Sequence, residues 1–132
     1  MTLPVPTEAQ EGLKLVQYLR VRGLKFSHVA NETGGSLEAR RRAVRVKQQG
    51  VSKGFPDYIV LIPPQRCRHG HGMVIAIELK RQRGSAISQE QREWIEAFNS
   101  LASNVVGTIA RGADAAINQI EDLLISYDRE AA

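Results

Sequence analysis

The sequence predicts an α/β fold, a mixed central β-sheet flanked by helices in the order helix, strand, helix, strand, strand, helix, strand, helix. Three observations lead there. Two aliphatic runs, Tyr58-Ile59-Val60-Leu61-Ile62 and Met73-Val74-Ile75-Ala76-Ile77, are separated by a segment rich in Pro, Gly, His and Arg, which reads as an antiparallel pair joined by a loop centred near Arg68. Two capping boxes, Thr7-Glu8-Ala9-Gln10 and Ser88-Gln89-Glu90-Gln91, open segments whose apolar residues fall at helical spacing. A short apolar run from Val105 to Ala110 follows the second of these helices, and a strand-helix-strand crossover of that kind places the last strand parallel to its neighbour.

Taken in order, Pro4 and Pro6 end a short leader, and the first helix runs to about Arg22, where Gly23 stops it. Leu13, Val16 and Leu19, flanked by Leu15 and Tyr18, form its expected apolar face. From Lys25 to Asn31, Phe26, His28 and Ala30 alternate with Lys25, Ser27 and Val29, as in a strand, and Asn31 to Gly35 is a turn or flexible loop. Leu37 to Gln49 is a basic helix with few large apolar residues, expected to pack lightly on the body and to end at Gly50. After the two central strands come Trp94, Ile95, Phe98, Leu101 and Ala102 on the third helix. Beyond Gly112, the positions Ala116, Ile117, Ile120, Leu123, Leu124 and Tyr127 mark a last amphipathic helix.

With 132 residues the chain is expected to be one domain, residues 1–132, with an aliphatic core because only 5% of residues are aromatic. The formal charge of +4 suits a polyanionic partner without requiring one, and its distribution is more telling. Arg40, Arg41, Arg42, Arg45 and Lys47 crowd one helix, Lys53 lies just beyond, and Arg81 and Arg83 follow the second central strand. A solvated helix face is the competing reading of that cluster. Cys67 is the sole cysteine, so no internal disulfide forms and a reducing cytoplasm, bacterial or phage-infected, is the expected setting. No apolar run approaches a membrane span and no basic-plus-apolar leader is present, so a soluble protein is expected. Cys67, His69 and His71 offer three metal-ligand types, but crowded at alternate positions in one loop, and a mobile basic hairpin loop is the preferred reading.

The chemistry concentrates where the two central strands fold together. Gly54-Phe55-Pro56-Asp57 precedes the first, and Ile77-Glu78-Leu79-Lys80 ends the second, so the fold-back sets Asp57 opposite Glu78 to Lys80. Alternation puts Glu78 and Lys80 on one face and Ile75, Ile77 and Leu79 on the other. Two carboxylates and one amine thus converge at a sheet edge. A hard divalent cation such as Mg2+ takes oxygen ligands of this kind and keeps several waters, while a lysine supplies a point charge. Singly, an Asp after Pro is usually a turn residue and an x-Glu-x-Lys alternation usually a wet strand face. The combination changes that balance.

These residues resemble the PD-(D/E)xK nuclease superfamily and, within it, the virus-type replication-repair nuclease (VRR-NUC) family. Pro56-Asp57 with Glu78-Leu79-Lys80 matches the superfamily signature; Gly50 and Gly54, the stretch His28 to Glu32, and Ser88-x-x-Gln91 match the family, over Glu8 to about Ile120. The resemblance implies a restriction-endonuclease-like core and a Mg2+- or Mn2+-dependent deoxyribonuclease with no organic cofactor. It implies a metal centre of Asp57, Glu78 and the Leu79 backbone carbonyl, joined by Glu8 with Glu11 as the fallback, and Lys80 and Gln91 beside it. His28, Asn31 and Glu32 are open between DNA or metal contact and a polar strand end. DNA of branched structure, such as a Holliday junction, is the implied substrate of a homodimer. The basic residues Arg40 to Lys47, Lys53, Arg81 and Arg83 would grip its phosphates. A non-catalytic DNA-binding module, or a nickase or restriction-type enzyme, are the alternatives, though the first would be expected to lose Asp57, Glu78 or Lys80.

Overall fold

The computed structural model describes residues 4–29 and 37–125. Its elements are helix α1 (Glu8–Val21), strand β1 (Lys25–His28), helix α2 (Leu37–Gln48), strands β2 (Tyr58–Ile62) and β3 (Met73–Lys80), helix α3 (Gln89–Asn99), strand β4 (Val105–Arg111) and helix α4 (Ala113–Leu123). The sheet order is β1-β2-β3-β4, antiparallel from β1 through β3 and parallel between β3 and β4. This is the mixed sheet flanked by helices that the patterning predicts. Pairing of Tyr58 with Ile77 fixes the hairpin register, so that continuing one step outward sets Asp57 across from Glu78.

One face of the sheet carries Tyr58, Val60 and Ile62 from β2 with Ile75, Ile77 and Leu79 from β3, and packs against Leu15 and Leu19 of α1 and Ala116 and Ile120 of α4. Helix α3 lies against the opposite face of β3 and β4. Gly107 permits that approach, since a Cβ there would stand 2.9 Å from the Ile95 carbonyl oxygen. Strand β3 is therefore enclosed on both sides, and this sets the surroundings of Glu78 and Lys80. The outer edge of β4 is partly closed as well. Asn99 lays its side-chain amide along Gly107, donating to the carbonyl at 2.9 Å and accepting from the N–H at 2.8 Å, and the Val105 N–H donates to the Ala102 carbonyl at 3.0 Å. Helices α1 and α4 are joined by a polar contact in which Tyr18 donates to Glu121, with Arg22 Nε 3.1 Å from the same carboxylate.

Several expectations are corrected. Leu13 is 61% exposed, so the buried stripe of α1 is Glu11, Gly12, Leu15 and Leu19, with Val16 and Tyr18 on its flank. The stripe is rotated because α1 meets the sheet at Gly12, the position with no side chain. Strand β1 stops at His28, although the Val29 N–H still donates to the Asp57 carbonyl at 2.6 Å; Ala30 and Asn31 lie outside the described residues. Helix α4 ends at Leu123 because Leu124 turns away to bridge Cys67, and Tyr127 lies outside the described residues. That bridge, with the Arg68 N–H donating to the Leu123 carbonyl at 2.7 Å, ties the β2–β3 connection to the body, where a free loop was expected. Among the described residues no helix is long and apolar enough to cross a membrane.

Candidate active site

Asp57, Glu78 and Lys80 meet where β2 begins and β3 ends. Beyond Tyr58, β2 no longer pairs in the ladder, and the Asp57 side chain takes its place: Oδ2 accepts from the Leu79 N–H at 2.9 Å. The N–H and carbonyl of a strand residue point to the same side, so the Leu79 carbonyl shares that edge with Asp57. Glu78 is only 3% exposed. Its Oε1 accepts from Gln91 Nε2 at 2.6 Å and lies 3.7 Å from Lys80 Nζ, while Oε2 is buried and has no hydrogen-bond partner among the described residues.

Gln91 reaches Glu78 because its other end is fixed. The Ser88 N–H donates to Gln91 Oε1 at 2.9 Å and the Gln91 N–H donates to Ser88 Oγ at 3.2 Å, a complete capping box at the start of α3. Gly54 seats the preceding loop against this turn. Its φ is +87°, and a Cβ there would stand 2.7 Å from the Glu90 carbonyl carbon, so no other residue fits. Phe55 then packs edge-on to Trp94, with ring centroids 4.9 Å apart, which anchors the loop that delivers Asp57.

Burial dominates the electrostatics. Desolvation, then the charge of Asp57, push the Glu78 carboxyl up to about 7, against the pull of Lys80, and Glu8 raises it further. Asp57 is also raised, first by burial and then by Glu8, while the Leu79 N–H, His28 and Lys80 oppose the rise. Glu8, exposed at the first turn of α1, is thus the third carboxylate whose field reaches the pair. Among the described residues no three His, Cys, Asp or Glu side chains close into a ready-made metal cluster.

Glu11 does something different. It is buried, its Oε1 accepts from the Ala113 N–H at 3.0 Å and its Oε2 from Gln82 Nε2 at 3.0 Å, so it caps the N-terminus of α4 from outside that helix. Helix α4 needs this, because its own cap position is Gly112, which has no side chain to offer. Both Glu11 oxygens are thus engaged in joining α1 to α4 and Gln82.

The basic residues divide. Arg81 donates through Nε to the Pro6 carbonyl and through a terminal nitrogen to the Val5 carbonyl, each at 3.3 Å, and so ties the leader to the sheet where a phosphate contact was expected. Lys53 is exposed with Nζ 4.0 Å from Glu90, and Arg83 is exposed in the bend after β3. Arg40, Arg41, Arg42 and Arg45 are exposed on α2, three of them with Val44 lining a shallow open groove. The Lys47 side chain, Asn31 and Glu32 lie outside what the structure describes. His28 is exposed at the end of β1 and stacks on Tyr58, with ring centroids 4.6 Å apart and planes 16° from parallel. Cys67 is buried in the core while His69 and His71 stand outside it, rings stacked on each other, so the three do not converge.

Sequence reading passed over Gly12 and Tyr58. A Cβ on Gly12 would lie 2.7 Å from the Tyr58 hydroxyl oxygen, placing the phenol directly against the α1 backbone one turn below Glu8. The signal was present: a glycine inside a helix costs about 1 kcal/mol relative to alanine and calls for a reason.

The sequence profile of the VRR-NUC domain matches residues 8–114. A solved structure of a VRR-NUC domain protein superposes with a TM-score of 0.66 at 22% identity, covering 92% of this chain and 90% of its own, which shows a shared fold. No curated protein sequence matches.

Proposed function

This chain belongs to the VRR-NUC domain family, and on that footing we propose that it is a DNA endonuclease that hydrolyses phosphodiester bonds with Mg2+ or Mn2+. Branched DNA such as a four-way junction is its proposed substrate. The observation that carries this reading is the state of Glu78. One oxygen is held by Gln91, the other is buried without a partner, and the carboxyl sits beside Asp57 in surroundings that resist its ionisation. Two carboxylates held close together and away from water are costly unless a cation joins them.

Asp57, Glu78, Glu8 and the Leu79 carbonyl form an all-oxygen donor set, and a hard divalent cation completes such a set with water. When bound, the ion would lower the pKa of a water and neutralise charge on the leaving oxygen. Gln91 fixes the Glu78 carboxylate in one orientation, because its own amide is clamped by Ser88. Lys80 stands enclosed with Nζ 3.7 Å from Glu78, where a water-poor setting strengthens its field; it would orient the attacking water and stabilise the extra charge on the pentavalent phosphorus. The exposed arginines of α2 would hold phosphates by charge alone, which positions DNA without reading its sequence. Two symmetric cuts in a four-way junction need two sites, and a homodimer related by a twofold axis supplies them.

The test is incubation with end-labelled four-way, flap, nicked and linear DNA in Mg2+ or Mn2+, with Asp57→Asn as control. Cleavage of the junction in preference to linear DNA is expected. No cleavage of any substrate in either metal would sink the nuclease reading, and equal cleavage of all four would remove the preference for branches.

A further inference from the structure

Helix α1 crosses the sheet with its N-terminus at the site end, and two of its residues one turn apart divide the work. Glu8, exposed at the first turn, lies near enough for its charge to reach Asp57 and Glu78, while Gly12 presses its backbone onto the sheet. What it presses on is Tyr58, the residue immediately after Asp57. We infer that Tyr58 is a positioning residue: its hydroxyl, set against the α1 backbone at Gly12, fixes how far the helix, and with it Glu8, stands from the sheet that carries Asp57 and Glu78. This rests on the metal-dependent reading of the site.

The phenol is fitted for that work because it cannot yield. Tyr58 is 4% exposed, its backbone is in the β1–β2–β3 ladder through pairing with His28 and Ile77, and its ring is stacked under His28. The approach is close on the helix side too, with Leu79 Cδ2 4.0 Å from the same point on Gly12. Any side chain at position 12 must therefore lift the helix or displace a ring that is held by its strand pairing and its stack on His28. Conversely, removing the hydroxyl leaves a gap of one atom into which the helix can settle. Either change moves Glu8 relative to carboxylates that stay on the sheet. A displacement of about 1 Å at a reacting centre is enough to cost orders of magnitude in rate.

The arrangement predicts reciprocal rescue. Mn2+ affinity of the protein without DNA, read by electron paramagnetic resonance, and single-turnover cleavage of a labelled four-way junction are measured for four proteins. Gly12→Ala should weaken both about tenfold and Tyr58→Phe about threefold; the double variant, its new methyl relieved of the hydroxyl it would have met, should return to within about threefold of wild type. In a Glu8→Gln background the same substitutions should cease to change Mn2+ affinity, which a general packing defect would not do. Circular dichroism of each variant checks that it is folded. A Gly12→Ala protein equal to wild type, a double variant as weak as the two single effects combined, or an undiminished effect without Glu8 would each overturn the inference. If wild type binds Mn2+ but cuts no DNA, the nuclease reading falls alone and the Mn2+ cycle still decides the role of Tyr58. A wild type without Mn2+ affinity overturns both.

Discussion

At the open end of the β2–β3 hairpin Asp57, Glu78 and Lys80 are drawn away from water between α1 and α3, whereas at its closed end Arg68, His69 and His71 stand in solvent. Both ends are rich in groups able to bind ions or move protons. Only the open end encloses them, and enclosure is what raises Glu78 toward neutrality and leaves one of its oxygens unsatisfied. The closed end has the denser run of potential ligands in the sequence, yet Cys67 points into the core and the two imidazoles point out. Residue content alone does not separate a site from a loop; the elements packed over it do.

The sharpest way to break this comparison is to change both ends. Asp57→Asn or Glu78→Gln should lower junction cleavage by roughly a thousandfold or more while DNA binding by filter retention stays near wild type. His69→Ala with His71→Ala should leave both within about twofold. Comparable decreases at the two ends would end the distinction. Next in size, Lys80→Ala should slow the chemical step by about a hundredfold, as when one preorganised electrostatic donor is removed; a change confined to DNA affinity would make it an ordinary phosphate-binding residue.

A finer contrast lies within α1. Glu11→Gln should cost about 1–2 kcal/mol in urea unfolding, from a weakened buried hydrogen bond at the α4 N-terminus, with Mn2+ affinity kept. Glu8→Gln should do the reverse, and an exchange of the two phenotypes would overturn their assignment.

Stability against pH separates the ends without any substrate. Glu78 titrates near 7 in the folded chain against an ordinary 4.5, so between those values the folded state holds a proton that the unfolded state has released. Its contribution is full below 4.5 and is lost as pH rises through 7, and Asp57 has the same sign. In EDTA, Tm should therefore fall as pH rises across this window, less so in Glu78→Gln, and Mg2+ should restore it. A Tm profile identical in wild type and Glu78→Gln would show that the carboxyl is not held protonated. Smallest of all, Arg41→Ala, Arg42→Ala and Arg45→Ala together should reduce the slope of log affinity against log salt by about one unit for each phosphate no longer neutralised. An unchanged slope returns α2 to a solvated face.

The sheet and the meeting of Asp57, Glu78 and Lys80 at its edge were legible because they are local. Alternation fixed the faces of β3, the fold-back fixed Asp57 against Glu78, and Ser88-x-x-Gln91 announced its turn. What escaped depends on partners distant along the chain. Nothing near Glu11 says that it will cap a helix beginning at Ala113, and nothing near Arg81 says that its guanidinium will meet the carbonyls of Val5 and Pro6. The rotation of α1 about Gly12 is of the same kind. Helical periodicity gives a stripe, but the partner element chooses which side of a broad stripe is buried, and here Gly12 rather than Leu13 faces the sheet.

Asn99 has a consequence for how copies of this chain can meet. An edge strand offers a template on which a second chain can extend the sheet, by design or by accident. On β4 the middle of that template is already taken, since the Asn99 amide donates and accepts at Gly107 as a neighbouring strand would, and Val105 has given its N–H to Ala102. Growth of the sheet past β4 is thus blocked by an imitation of the strand it would add. At this edge any pairing of two chains is left to side-chain surfaces, and Asn99→Ala is the substitution expected to open β4 to strand-by-strand aggregation.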